Sequence, residues 1–336
     1  MKKTYKILSF FALLLIAGVS LIGKTGNVSA EKMRQGSPHQ TLVLAGGEST
    51  NPREYDPATT HGSGDKLVFS GLVSFDPHLN LTPDLAETWE LSPDGTVYTF
   101  HLRENAKFHN GRSVTAEDFV YSFERALSPA LRSDTALTYL GDIIGAREMA
   151  SGEAKSISGI KAIDEHTLEI NIDAPKPYFL LKLTYPTAFV VDKKNVESGE
   201  EWFRTPNGTG PYKLIEWRRF EKITYEANPD FYLDIPAITY IEVQLYSGVG
   251  IRLYEAGDID MTGVPFYSID RFLDPAEPLH KELIAGVDLC TGYAVFDVTK
   301  PPFDDIKVRQ AFTMAFDRQK YIEVVLHGGA LPAIGI

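Results

Sequence analysis

The most regular hydrophobic pattern of the chain begins at Val97. Between Val97 and Arg103 the apolar side chains Tyr98, Phe100 and Leu102 occupy every second position, directly after a turn at Asp94-Gly95, a pair that tolerates positive φ angles. A period of two residues places these side chains on one face of a β-strand. Together with the apolar residue Trp89 before the turn, the pattern predicts a β-hairpin.

A helix is predicted a few residues after this hairpin. Thr115 and Asp118 have the spacing of a capping box, and apolar residues then recur every four positions from Phe119 to Leu127. This period lines one face of an α-helix. We therefore expect a helix that begins at about Ala116.

Weaker patterns predict the other elements of the chain. Strands are expected at 41–44, 160–163, 168–172, 213–217, 222–227 and 238–245, and helices at 67–72, 137–149 and 251–256. Two more helices are expected after Asp305 and Asp317, which can cap them. The alternation of strands and helices predicts a mixed fold of the α/β or α+β class. The loop before residue 67 is longer than the roughly 12 residues usual for compact domains, and we expect it to bind ligand.

Composition and charge exclude several classes of protein. The chain has 336 residues, of which 43% are hydrophobic and 23% charged, so a globular protein with two domains is expected rather than a disordered chain or a membrane bundle. The formal net charge is −12 at pH 7. Nucleic acid is therefore not expected as a partner.

The first 30 residues have the pattern of a secretory signal peptide. Lys2, Lys3 and Lys6 precede an apolar run over 7–23, and small residues end at Ala30. Export with cleavage after Ala30 is therefore predicted, and an uncleaved membrane anchor is the competing interpretation. No cysteine follows the apolar run, so a lipoprotein anchor is not expected.

No catalytic or metal-binding pattern is present. The chain has a single cysteine, Cys290, so no disulfide can close within it. His101 and His109 lack a second ligand at metal-binding spacing, and we interpret both as solvent-facing. An exported hydrolase would need a nucleophile with a base, and no such sequence is found. Neither a cofactor nor a metal is expected.

The residues of the hairpin and helix resemble a known family in detail. The run PDLAETWELSPDGTVYTFHLRENAKFHNGRSVTAEDF (83–119) resembles the signature of the family 5 bacterial extracellular solute-binding proteins, the peptide-binding branch of ABC importers. Further resemblances occur in GIKAIDEHTLEI, NGTGPYKL, DMT, LCTGY and PPFDDIKVRQAFTMAFDR, so that the resemblance covers nearly all of 41–336.

The resemblance implies a two-lobed architecture of the type II periplasmic-binding-protein class. It implies a discontinuous first lobe (31–78 and 205–285), an inserted subdomain of hairpins and helices (79–204), and a hinge with the start of a second lobe (286–336). Only the front part of a family member is matched, so we expect the chain to be truncated within the second lobe. Residues 286–336 are then expected not to form a stable lobe.

The function that the resemblance implies is peptide import. A monomeric binding protein would capture extracellular peptides in the cleft between its lobes and deliver them to the permease subunits of an ABC transporter in the membrane. Two alternatives stay open: a family member that binds another solute, such as a sugar, a nickel chelate or haem, and a truncated fragment that binds nothing.

The resemblance also implies candidate ligand-binding residues. These are His61, Gly62 and Ser63 in the long loop, Tyr139 and Tyr185 in the inserted subdomain, Thr262, Gly263 and Val264 after the aspartate of DMT, and Thr291. For His61 the alternative is a surface histidine, and for each tyrosine it is a packed ring with a solvated hydroxyl. The family carries polar side chains directly after DMT, whereas Gly263 and Val264 could offer only backbone contacts.

Overall fold

The computed structural model describes residues 40–46, 55–59, 65–245, 248–286 and 291–333. Ten strands lie in these ranges: β1 Thr41–Ala45, β2 Val73–Phe75, β3 Leu81–Pro83, β4 Ala86–Leu91, β5 Val97–Leu102, β6 Ile160–Ala162, β7 Thr167–Asn171, β8 Tyr212–Arg218, β9 Lys222–Ala227 and β10 Tyr240–Gln244. The mixed fold class predicted from the sequence is confirmed.

Ten α-helices accompany these strands within the described ranges. They are α1 Asp65–Val68, α2 Ala116–Leu127, α3 Ala136–Leu140, α4 Ala146–Ser151, α5 Phe179–Lys182, α6 Lys193–Val196, α7 Gly250–Ala256, α8 Ile269–Leu273, α9 Ile306–Ala315 and α10 Arg318–Val324. Single 3₁₀ turns occur at Pro186–Ala188, Trp202–Arg204, Phe266–Ser268 and Pro278–Glu282.

The predicted hairpin and helix form the centre of the larger hydrophobic core. β4 and β5 pair antiparallel and belong to a four-stranded sheet of order β4-β5-β7-β6. Tyr98, Phe100 and Leu102 on one face of β5 are buried, as the two-residue period predicts. They share a core with Phe119 and Phe123 of α2. The capping box of α2 is present, with the Asp118 carboxylate accepting the Thr115 N–H at 2.9 Å.

A second four-stranded sheet has the order β1-β10-β9-β8. β1 runs parallel to β10, and the other pairs are antiparallel. Its core is separate from the first and contains Phe69, Tyr212, Tyr225 and Ile241. Because the strands of this sheet lie at both ends of the chain segment 41–244, the intervening residues form an insertion between them.

Two predicted helices differ from the structure. Only the start of 67–72 is helical, since α1 ends at Val68 and the next residues bond to distant segments instead: the Ser70 N–H donates to Thr209 Oγ1 at 3.1 Å. The region 137–149 is two short helices rather than one. A turn at Gly145 with φ of 84° separates them, a conformation that a continuous helix cannot contain.

The described chain divides into two compact units. The first ends at Met261 and the second begins at Thr262. The predicted hinge at residue 286 thus lies inside the second unit, and the predicted lobe boundaries stay a prediction. In the second unit, Asp305 and Asp317 cap α9 and α10 through the backbone N–H groups of Lys307 and Lys320, as the sequence predicts.

Candidate functional site

Tyr139 and Tyr185 are brought together by the fold of the first unit. Tyr139 lies on α3, and Tyr185 directly precedes the 3₁₀ turn Pro186–Ala188. Their rings stack in parallel, with centroids 3.7 Å apart and planes 6° apart. Both side chains are half-buried, and burial raises the pKa of the Tyr139 hydroxyl. The pair offers a wall that is apolar across the ring faces and polar at the hydroxyl groups.

Buried hydroxyl groups hold the backbone beneath this tyrosine pair. Thr135, at the start of α3, shares a 2.6 Å hydrogen bond with Thr187, and both residues are buried. Ser133 donates to the carbonyl oxygen of Ala58 at 2.6 Å and lies 3.2 Å from the Thr135 hydroxyl. Three distant segments are thereby joined, and the Thr135–Thr187 bond links the two elements that carry the tyrosines.

An ion pair lies beside the same segments. Arg125, near the end of α2, forms two hydrogen bonds to the buried carboxylate of Asp56, one of them 3.0 Å long. The Arg125 guanidinium also lies 5.3 Å from the ring centroid of Trp202. A charge-assisted pair with two hydrogen bonds defines geometry more strictly than a single contact does. It joins the loop 55–59 to the helix α2.

Asp56, Arg125 and Trp202 line a cleft of about 890 Å³ in the first unit. Three chain segments contribute to it, around residues 56–59, 125–134 and 196–203. Its lining residues are Asp56, Thr59, Arg125, Leu131, Arg132, Asp134, Val196, Glu197, Gly199, Glu200, Trp202 and Phe203. The sequence places Asp56 and Thr59 in a loop that was expected to bind ligand. It does not reveal the other lining residues, because the three segments are far apart along the chain and no local pattern shows that they meet.

The segment NGTGP (207–211) has a structural role. A Cβ atom added to Gly208 would lie 1.9 Å from the carbonyl oxygen of Val68, so only glycine allows this close approach of two backbones. His109 packs on the same segment and donates from Nε2 to the carbonyl oxygen of Gly210, at 3.0 Å.

The interpretation of His109 as solvent-facing is wrong. The Nδ1 atom of His109 is buried and has no hydrogen-bond partner among the described residues. Burial, with a smaller contribution from the charge of Lys213, lowers the pKa of His109 to about 4 against the opposing effect of the Gly210 hydrogen bond. A buried base without an acceptor for a second proton stays neutral.

The residues before and after the boundary at Met261 differ in their contacts. Asp260 binds β1 through its backbone N–H, which donates to Val43, and through its carboxylate, which accepts the Val43 N–H at 2.7 Å. Thr262 and Val264 are half-buried and Gly263 is exposed. The Thr262 hydroxyl lies 3.4 Å from the carbonyl oxygen of Gly263. Their predicted contact with ligand stays a prediction.

The other predicted residues are not brought together by the described contacts. Thr291 is exposed in the second unit. His61, Gly62, Ser63 and Cys290, together with the predicted signal peptide, lie outside the described residues. Within the described ranges, no group of three or more histidine, cysteine, aspartate or glutamate side chains converges as a metal site. In the same ranges no helix has the length and apolar character needed to cross a bilayer.

Comparison with protein families gives a match over most of the chain. Residues 80–336 match the model described as "Bacterial extracellular solute-binding proteins, family 5 Middle". Among curated proteins, the periplasmic oligopeptide-binding protein OppA of Escherichia coli K12 is 34% identical over 96% of this chain and 62% of its own length. The dipeptide-binding protein DppE of Bacillus subtilis 168 is 31% identical over 98% of this chain and 62% of its own.

Solved structures agree with the sequence matches. The E. coli murein tripeptide binding protein MppA has a TM-score of 0.74 at 30% identity, over 88% of this chain and 60% of that one. Haemophilus influenzae OppA in complex with RPPGFSPFR has a TM-score of 0.71 at 30% identity, over 86% and 58%. The chain thus spans about 60% of the length of these relatives, all of which are solute-binding proteins rather than enzymes.

Proposed function

Because this chain belongs to the bacterial extracellular solute-binding proteins of family 5, we propose that it serves as the peptide-binding component of an ABC importer. The observation that carries this proposal is the likeness, over 86% of the chain, to a relative solved in complex with the nonapeptide RPPGFSPFR. Permease subunits in the membrane would receive the peptide from the binding protein. The alternative cargoes are a sugar, a nickel chelate or haem.

The physical basis of such capture is general to peptides. Backbone N–H and C=O groups of an extended peptide can pair with backbone groups of the protein, which gives affinity that depends little on peptide sequence. A ligand bound by both lobes favours the closed arrangement only through its higher affinity for that arrangement. Closure is what the permease would recognise.

Within the described residues, Tyr139 and Tyr185 are the proposed peptide contacts with the most defined geometry. Their stacked rings form a rigid wall whose hydroxyl groups can reach polar atoms of a ligand. Thr262, Gly263, Val264 and Thr291 are proposed as further contacts, with Gly263 and Val264 acting through their backbone groups. His61, Gly62 and Ser63 complete the proposed set.

Localisation and assembly follow from the same proposal. The relative OppA of E. coli is a periplasmic protein, and we propose that this protein is exported with cleavage after Ala30, without a lipid anchor. The intact mass of secreted protein distinguishes cleavage at Ala30 from retention of residues 1–30. We also propose a monomer, which light scattering during size-exclusion chromatography can check.

Isothermal titration calorimetry tests the proposed cargo. The purified chain is titrated with RPPGFSPFR, with a pool of peptides of two to ten residues, with a disaccharide, and with a nickel–histidine chelate. Saturable heat with peptides alone is expected. Saturable heat with the sugar or the chelate but with none of the peptides would replace peptide import with another cargo, and no heat with any probe would support a fragment that binds nothing.

Substitution of the tyrosine pair tests the proposed contacts. Tyr139→Ala and Tyr185→Ala are each expected to weaken peptide binding by about fivefold or more, the cost of truncating a contact residue worth about 1 kcal/mol. Tyr178→Ala is the matched control, because Tyr178 is 48% exposed in the same unit. Equal affinities for all three variants and the original chain would remove the tyrosine pair from the site.

A further inference from the structure

The cleft of about 890 Å³ in the first unit has the size of a ligand site. Small-molecule sites in proteins enclose roughly 300–1,000 Å³. Its walls come from the loop 55–59, from the end of α2 with the residues that follow it, and from the segment 196–203. None of the proposed peptide contacts Tyr139, Tyr185 or Thr262–Val264 belongs to its lining, so the cleft is distinct from those contacts.

The lining of the cleft is acidic. Four carboxylates and two guanidinium groups line it, so its net charge is two negative. Arg125 is already paired with Asp56 and adds no free positive charge. Glu197 forms only a 3.8 Å contact with Lys193, in which both side chains are about 60% exposed. No described residue forms an ion pair with Glu200. The lining therefore favours a cation over an anion.

The same cleft has an apolar and aromatic wall. Leu131, Val196, Trp202 and Phe203 contribute this surface. The Trp202 ring already receives the guanidinium of Arg125 at 5.3 Å, so this wall is left to contact the apolar part of a ligand. A suitable ligand therefore combines a positive charge with an apolar stem.

We propose that this cleft binds an organic cation, an ammonium or guanidinium group at the end of an aliphatic stem. The stem packs against Leu131, Val196 and Phe203, and the charged end lies among the carboxylates of Glu197 and Glu200. A bare divalent cation does not fit, because it requires several converging oxygen ligands and the described residues contain no such group. The cation comes either from a lysine or arginine side chain of a bound peptide or from a free polyamine. The first source rests on the proposed peptide function, and the second does not.

Calorimetry with three probes distinguishes these sources. The purified chain is titrated at low ionic strength with trilysine, trialanine and spermidine. Tighter binding of trilysine than of trialanine, by about tenfold or more, supports the peptide side chain as the source, and saturable binding of spermidine supports a free polyamine. Equal affinity for trilysine and trialanine without spermidine binding overturns the inference while the peptide function stands. Binding of spermidine alone supports the inference while the peptide function fails.

A pair of double variants locates the binding. Glu197→Gln with Glu200→Gln removes two carboxylates from the cleft, and the affinity for the cationic probe is expected to fall by about five- to twentyfold, since an exposed ion pair contributes up to about 1 kcal/mol. Glu90→Gln with Glu104→Gln changes the net charge equally at exposed positions outside the cleft. An equal loss of affinity in both double variants would show that the general negative charge of the chain attracts the cation, and would overturn the inference.

Tryptophan fluorescence gives an independent check of the position. Trp202 lines the cleft, whereas Trp89 does not. The emission change caused by the cationic probe is expected to persist in Trp89→Phe and to be lost in Trp202→Phe. Persistence of the full change in Trp202→Phe would place the bound cation elsewhere.

Discussion

Replacement of His109 by glutamine is expected to remove a specific part of the pH dependence of stability. In the folded protein, Nε2 of His109 donates to Gly210 while Nδ1 is buried without a partner, and burial lowers the pKa to about 4. The side chain ordinarily titrates at 6.5. A glutamine amide can donate to the same carbonyl oxygen and does not titrate.

The sign and size of the effect follow from linkage. A base whose pKa is lowered on folding binds fewer protons in the folded state, so its contribution to stability is fully present above pH 6.5 and is lost as the pH falls towards 4. The two pKa values correspond to a loss of about 2.5 kcal/mol in the free energy of unfolding between pH 7 and about pH 4.5. The Gln variant lacks this loss.

Urea unfolding followed by tryptophan fluorescence measures the difference. All three tryptophans lie in the unit that ends at Met261, so their emission reports the unfolding of the unit that contains His109. The free energy of unfolding is determined across this pH range for the original chain and for His109→Gln, with His101→Gln as the control for replacing a histidine. The same decrease of stability in the original chain and in His109→Gln would refute the reasoning.

Three other predictions follow from the described contacts. Gly208→Ala is expected to destabilise the first unit by about 2 kcal/mol or more, because the added Cβ would lie 1.9 Å from the Val68 carbonyl oxygen. Gly292→Ala is the control, because its added Cβ meets open space. Chemical unfolding measures both variants, and equal stability of Gly208→Ala and Gly292→Ala would contradict the close approach. Burial raises the pKa of Asp84 to about 6, so protonation of Asp84 favours folding and the free energy of unfolding falls as the pH rises from about 4 to about 6. Asp84→Asn should lack this fall. Unfolding curves over this pH range that are the same for Asp84→Asn and the original chain would contradict the predicted role of Asp84. Limited proteolysis is expected to cleave residues 306–324 earlier in time than α2, because α9 buries none of its residues whereas α2 buries seven. Mass mapping that shows the two regions to be equally resistant to cleavage would contradict this order.

The sequence by itself determined the elements whose signals are local. The hairpin β4–β5 is specified by a turn and a two-residue hydrophobic period, and the helices α2, α9 and α10 are specified by their capping residues and a helical hydrophobic period. Such an element can be predicted from its own residues, without knowledge of what it packs against. The resemblance to the family rests on the same stretch, and it is confirmed by the match over 80–336.

Only the tertiary structure decided which distant residues meet. Tyr139 stacks on Tyr185, Arg125 pairs with Asp56 across 69 positions, and the imidazole of His109 donates to Gly210 with its Nδ1 atom buried. Such contacts cannot be predicted from hydrophobic periodicity, because each partner contributes a single side chain from a segment whose periodicity reports only its own secondary structure. The same reason explains the predicted helix 67–72: its residues have a helix-like composition, but hydrogen bonds from Gly210 to Val68 and from Ser70 to Thr209 replace the bonds that a continued helix would make.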